Sequence, residues 1–231
     1  MNQLDLLDAW ERAAPLDPTG RALALLAAAS TVSTSDVDDV AALPIGVRDG
    51  MLLDLHASLF GPELAAVVGC PACGERLELA FAVDQVRTDP PRPVEVLHID
   101  GYDVSVRPPD SRDLAAVAGL DPAAAEDVLL RRCVSGDLDR LPPSVVAAVE
   151  DAMLAADPQA DVRLALTCEP CGHRWSATLD IGAFVWARLD AWARRCALEV
   201  HTLARAYGWR EVDILAMSPW RRGLYLALVS S

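Results

Sequence analysis

Cys70-Pro71-Ala72-Cys73-Gly74-Glu75-Arg76-Leu77 and Cys168-Glu169-Pro170-Cys171-Gly172-His173-Arg174-Trp175 are two copies of one pattern. In each, a Cys-x-x-Cys turn lets two sulfurs converge, and the following glycine relieves the tight backbone. Around the first copy Leu77, Leu79, Phe81 and Val83 alternate with more polar or smaller residues. Around the second, Val162, Leu164 and Leu166 lead in, and Trp175, Ala177, Leu179 and Ile181 lead out. A period of two is that of a half-buried strand, so each copy reads as strand, knuckle, strand. Together the two hairpins predict a zinc ribbon with Cys70, Cys73, Cys168 and Cys171 as ligands of one structural Zn2+ ion.

Four thiolates saturate zinc, which argues against a catalytic metal with an open position. A redox Cys-x-x-Cys opens a helix after a strand, whereas both of these precede strands. His173 matches Glu75 in the other knuckle, so both read as exposed turn residues. The long segment between Cys73 and Cys168 does not prevent the pairing, because loop-closure cost grows only logarithmically with length. A site of this kind, worth on the order of 10 kcal/mol, would clamp the ends of that insertion together.

Outward from the knuckles the pattern is helical. Leu6, Leu7, Trp10 and Ala14 share a face, Asp17-Pro18 opens a second helix, and Leu52, Leu55 and Leu59 mark a third that stops at Gly61-Pro62. Ser30 to Asp39 is polar and reads as a connection. Inside the insertion, Asp100-Gly101 is a turn dipeptide between strands Val94 to Ile99 and Tyr102 to Arg107, and helices begin near Asp110, Asp121-Pro122 and Pro142-Pro143. Beyond Gly182, apolar residues from Val185 through Trp192, Cys196 and Val200 to Tyr207 recur three and four apart. Arg210 to Met217 forms a short helix, and Ser218-Pro219 starts a last one carrying Trp220, Leu224 and Leu228. The fold class is α+β: a mostly helical chain with a small antiparallel zinc-ribbon sheet split by a structured insertion. We expect an N-terminal helical region over 1–62, the ribbon over 63–182 with its insertion at about 90–160, and a C-terminal helical unit over 183–231.

With 231 residues, 52% of them hydrophobic, the chain can bury a full core. All 20 basic residues are arginine, yet the net charge of −14 repels phosphate, which disfavours nucleic acid as a partner. No apolar run spans a bilayer and Asp5, Asp8 and Glu11 do not suit a leader peptide, so a cytoplasmic location is expected, where the thiols stay reduced. Cys133 and Cys196 sit at helical spacing among apolar residues and read as core. His56, His98 and His201 have no partner at a catalytic spacing, and the phosphate-loop, His-Glu-x-x-His and Gly-x-Ser-x-Gly motifs are missing. The pairs Arg131-Arg132 and Arg194-Arg195 read as solvated faces and internal ion pairs. The expectation is a protein that is not an enzyme and takes no small-molecule substrate.

Leu203-Ala-Arg-Ala-Tyr-Gly-Trp-Arg-Glu-Val-Asp-Ile-Leu-Ala-Met-Ser-Pro-Trp-Arg-Arg-Gly-Leu-Tyr-Leu resembles the C-terminal signature of a baseplate protein family of contractile-tailed phages and extracellular contractile injection systems. That family includes baseplate hub proteins and hub assembly chaperones. The resemblance extends in patches to Leu43-Pro-Ile-Gly-Val-Arg-Asp, Leu59-Phe-Gly-Pro-Glu-Leu, Arg107-Pro-Pro-Asp-Ser-Arg-Asp-Leu and the Cys-x-x-Cys-Gly knuckles of a zinc-ribbon-containing variant. Asp213 stands where the pattern commonly has Glu. The resemblance implies a phage tail-like assembly or structural protein whose partners are other baseplate or hub proteins. It implies incorporation into the particle or temporary holding of a hub component, and a partner face at Tyr207, Trp209, Trp220, Arg221, Arg222 and Tyr225. The alternative is a zinc-ribbon regulator binding nucleic acid or a transcription partner, which requires a basic stripe that the composition does not offer.

Overall fold

The computed structural model describes residues 2–29, 37–92, 96–135 and 141–229, and two compact units account for them: Asp36–Gly182, and Met1–Ser35 joined with Ala183–Ser231. The N-terminal region drawn over 1–62 is thus divided between the two. Small antiparallel sheets sit in a largely helical chain, an α+β fold. Among the described residues no helix is long and apolar enough to cross a membrane.

In the unit formed by both chain ends, helices α1 (Gln3–Ala13) and α2 (Pro18–Ala29) accompany α9 (Ile181–Tyr207), α10 (Glu211–Leu215) and α11 (Pro219–Val229). Asn2 caps α1 through a reciprocal capping box with Asp5, and Asp17 accepts the Gly20 N–H at the start of α2. Leu6, Ala9 and Ala13 of α1 are buried, as are Leu25 and Leu26 of α2 and Val185, Leu189, Ala193, Cys196 and Leu203 of α9. Partly buried polar contacts fix the packing: Trp10 donates its indole N–H to Asp190 (3.0 Å), and the Arg21 guanidinium lies 4.7 Å from the Trp186 ring centroid. Gly208, with φ 69°, ends α9 as the sequence predicts.

The unit Asp36–Gly182 contains α3 (Val37–Ala41), α4 (Ile45–Phe60), β1 (Glu63–Gly69), β2 (Arg76–Ala82), α5 (Val83–Val86), β3 (Leu97–Ile99) and β4 (Tyr102–Val106). It continues with α6 (Ser111–Val117), α7 (Pro122–Cys133), β5 (Val134–Ser135), α8 (Pro143–Ala156), a 3-10 turn (Pro158–Ala160), β6 (Arg163–Thr167) and β7 (Arg174–Thr178). The expected turn is present: Asp100 (φ 52°) and Gly101 (φ 84°) are both left-handed, as a two-residue hairpin of this twist requires. Val94 and Glu95 of the expected first strand lie outside the described residues, as does 30–36 of the expected polar connection. Asp110 and Asp121 cap α6 and α7 through their carboxylates, and Pro143 occupies the first turn of α8. Val104, Val106, Val134, Val145 and Val149 form the core between β3-β4-β5 and the helices.

Three details differ from the sequence reading. Where one ribbon sheet was expected, there are two separate two-stranded sheets among the described residues, β1-β2 and β6-β7. Two strand ends are shorter: the β2 pattern stops at Ala82, where α5 begins and the Gln85 side chain caps the Ala82 N–H. The β7 pattern stops at Thr178, and Ile181 opens α9. Finally, α3 and β5 were not expected, since five and two residues carry too little periodicity to show in the sequence.

Candidate metal centre

The hairpins β1-β2 and β6-β7 share one local design. Cys70 donates its N–H to the Glu75 carbonyl (2.8 Å) and accepts at its own carbonyl from Gly74 N–H (2.8 Å). Cys168 does the same with His173 (2.9 Å) and Gly172 (2.8 Å). Gly74 and Gly172 both take positive φ, 77° and 70°, so the glycine in each copy is a conformational requirement. In both knuckles the first cysteine is buried and the second exposed.

The structure brings all four predicted cysteines together, their Sγ atoms within 4.8 Å of one another. The close pairs cross between knuckles: Cys70 Sγ to Cys171 Sγ is 3.7 Å and Cys73 Sγ to Cys168 Sγ is 3.6 Å. Both exceed the roughly 2.0 Å of a disulfide. They match the edge of about 3.8 Å that a tetrahedron with metal–sulfur bonds of about 2.3 Å requires. The donor set therefore fits zinc in number, softness and spacing.

The thiols are tuned by this crowding. Burial works to raise Cys70, but N–H groups of Cys73 and Ala72 and the neighbouring sulfurs outweigh it and bring it down to about 7. At Cys168 the Cys171 N–H pulls downward, yet burial and the adjacent sulfurs push it up to about 12. Cys73 is raised as well. Four sulfurs this close cannot all ionise without a cation among them, so a dication would displace their protons. His173 is not among the clustered ligands: its ring stacks on Trp175 at 5.8 Å.

A second polar centre was not singled out from sequence. Asp113, fully buried, accepts two bonds from Arg107 (2.6 and 3.0 Å), one from Arg132 (2.8 Å) and one from the Asp110 N–H (2.9 Å). The Cys133 thiol points at it from 3.5 Å. Burial favours its neutral form, but these donors win and hold it well below the usual carboxylate range. The same burial, with Asp113 beside it, pushes Cys133 up to about 12. Nearby, Arg48 pairs with Asp49 (2.7 Å) and donates to Ser111 (3.2 Å), and Asp157 takes the Gly46 N–H (2.8 Å). The stretches 43–49 and 107–114, singled out separately by resemblance, thus meet at Arg48–Ser111 and at the bridge Pro44–Asp110.

The family model for the T4 bacteriophage base plate protein matches residues 17–135, just over half of the chain. The chain belongs to this family. No curated protein and no solved structure matches it. The matched stretch of this baseplate protein includes Cys70, Cys73, the Arg48 cluster and Asp113. Cys168, Cys171 and the C-terminal signature lie beyond it.

Of the expected partner residues of the baseplate protein, Tyr207, Trp209 and Tyr225 form an aromatic cluster with ring centroids 4.5 to 5.9 Å apart. Trp220 is 76% exposed, and Arg221 is exposed. Arg222 is 3% exposed and instead ties its own unit together through Glu199 (2.9 Å) and Gln3. Arg131, Arg132 and Arg194 are in internal ion pairs with Asp127, Asp113 and Asp190. Cys133, Cys196 and His56 are buried, whereas His98 and His201 are exposed.

Proposed function

We propose that this chain is a non-enzymatic structural or assembly component of the baseplate of a phage-tail-like contractile injection system, clamped by a structural four-cysteine zinc site. The observation that supports it best is the convergence of four thiols from two sequence-distant knuckles in a chain of the baseplate family. Four sulfur ligands leave the ion no open position, so the metal would supply only a rigid cross-link and no chemistry. Cys70 and Cys168 would be held from inside the fold and Cys73 and Cys171 from its surface, fixing both hairpins relative to each other. Its partners are then other baseplate or hub proteins, met through exposed aromatic and apolar residues.

Deletion of the gene in its host, followed by electron microscopy and mass spectrometry of purified particles, tests this. The proposal requires particles with missing or defective baseplates. Presence of the chain in wild-type particles then marks a permanent component, and its absence from them a chaperone. Normal baseplates without the chain would refute an assembly role and return attention to a regulatory reading.

A further inference from the structure

Two surface features are unused by the metal centre and the buried ion pairs. The first is a groove of about 260 Å3 between α7 and α8, floored by Ala125, Leu129, Leu130 and Met153 and rimmed by Glu126 and Glu150. Leu130 and Met153 pack on the valine core beneath, so the floor is built before anything docks. The volume lies below the roughly 300 to 1,000 Å3 of cofactor-sized pockets, and suits apolar side chains of a protein segment. Among the described residues neither the Glu126 nor the Glu150 side chain has an ion-pair or hydrogen-bond partner, so the rim offers two unpaired carboxylates.

The second feature has the opposite character. On α11, Trp220, Leu224 and Leu228 are spaced four apart on one face and are 76%, 48% and 66% exposed. Arg221, beside this stripe, has no intramolecular side-chain partner among the described residues, and α11 contains no acidic residue. It is a helix with large apolar anchors and a free cation, the form that enters an apolar groove between helices.

We propose that α11 of one copy of this chain docks in the α7–α8 groove of a second copy. Trp220 and Leu224 enter the groove and Arg221 meets Glu126 and Glu150. Two copies each carrying −14 repel at long range, but physiological salt screens that field within about 8 Å. Adjacent Arg–Glu pairs survive the screening, so the copies are selected for this one orientation. The contact deepens the assembly reading, on which it rests, by naming a second copy as one partner. Its failure would leave the particle experiment above untouched.

The test is sedimentation velocity of the purified full-length chain at rising concentration. Wild type is expected to grow beyond the mass of one chain. Trp220→Ala weakens association by about 30-fold or more, as a central aromatic anchor does. Glu126→Arg with Glu150→Arg, and separately Arg221→Glu with Trp220→Ala, each give a folded monomer by circular dichroism. Mixing those two variants restores a one-to-one pair, since each keeps the half that the other lacks. Glu126→Gln with Glu150→Gln stands in if the reversal fails to fold. A wild type that stays at one chain throughout, variants that associate undiminished, or a mixture that remains monomeric would overturn the proposal.

Discussion

Replacing Asp113 with Asn keeps the shape of the side chain and removes the charge that two guanidinium groups share. Asp113 is completely buried, while the Arg107 and Arg132 side chains are 45% and 41% exposed, so the arginines regain water when the carboxylate is lost. The cost therefore falls at or below the lower end of the roughly 3 to 5 kcal/mol for breaking a fully buried pair. The amide also turns an N–H2 group toward guanidinium donors, forfeiting at least one charge-assisted bond of about 1.5 to 3 kcal/mol. A loss of about 3 kcal/mol follows, equivalent to roughly 10 °C in melting temperature for a chain of this length. Urea unfolding at neutral pH, followed by circular dichroism, measures it. The folded-state pKa is depressed, so this stabilisation is fully present above the unfolded value of about 3.9 and is lost as pH falls through the folded one. The gap between wild type and variant must then narrow below about pH 4, and protonation of the four clustered cysteines, present in both proteins, does not contribute to it. A variant within about 0.5 kcal/mol of wild type, or a gap that widens in acid, would show that the buried Asp113 charge does not stabilise the fold.

Other perturbations follow from the same geometry. A Cβ on Gly46 would sit 1.8 Å from Asp157 Oδ1 and 2.9 Å from Gln159 Cβ, so Gly46→Ala should cost at least about 1 to 3 kcal/mol by overpacking, read by thermal melting. Gly74→Ala and Gly172→Ala each force a left-handed residue and should cost about 1 to 2 kcal/mol, with similar losses at the two equivalent knuckles. Unequal losses in unfolding experiments would argue against their equivalence. Arg222→Met removes the buried partner of Glu199 and should lower stability by about 2 kcal/mol in urea unfolding, although it leaves the exposed face of α11 intact.

The parts of this fold written locally were legible in the sequence. Caps such as Asp110, Asp121 and Asp17, the Asp100-Gly101 turn and the paired knuckles each depend on residues a few positions apart. The convergence of Cys70 and Cys73 with Cys168 and Cys171 was legible because a repeat announces that two distant turns do the same job. The Asp113 network was not, since Arg132 reaches it from another helix and nothing in the sequence says which acidic residue will be buried. The C-terminal helix misled in part: Arg221 and Arg222 are neighbours in sequence but about 100° apart on α11, so one faces solvent and the other the core. Expecting one ribbon sheet failed for a related reason. Four sulfurs can converge on a common point without any backbone pairing between the hairpins, so alternation within each strand does not reveal whether the sheets merge.

Metal content per chain, measured by inductively coupled plasma mass spectrometry on purified wild type and on Cys168→Ser, tests the proposed four-cysteine clamp. One zinc per chain in the wild type and its loss in the variant are expected of a clamp in which both knuckles would share one ion. Wild type without zinc, or a variant that retains it in full, would contradict the clamp.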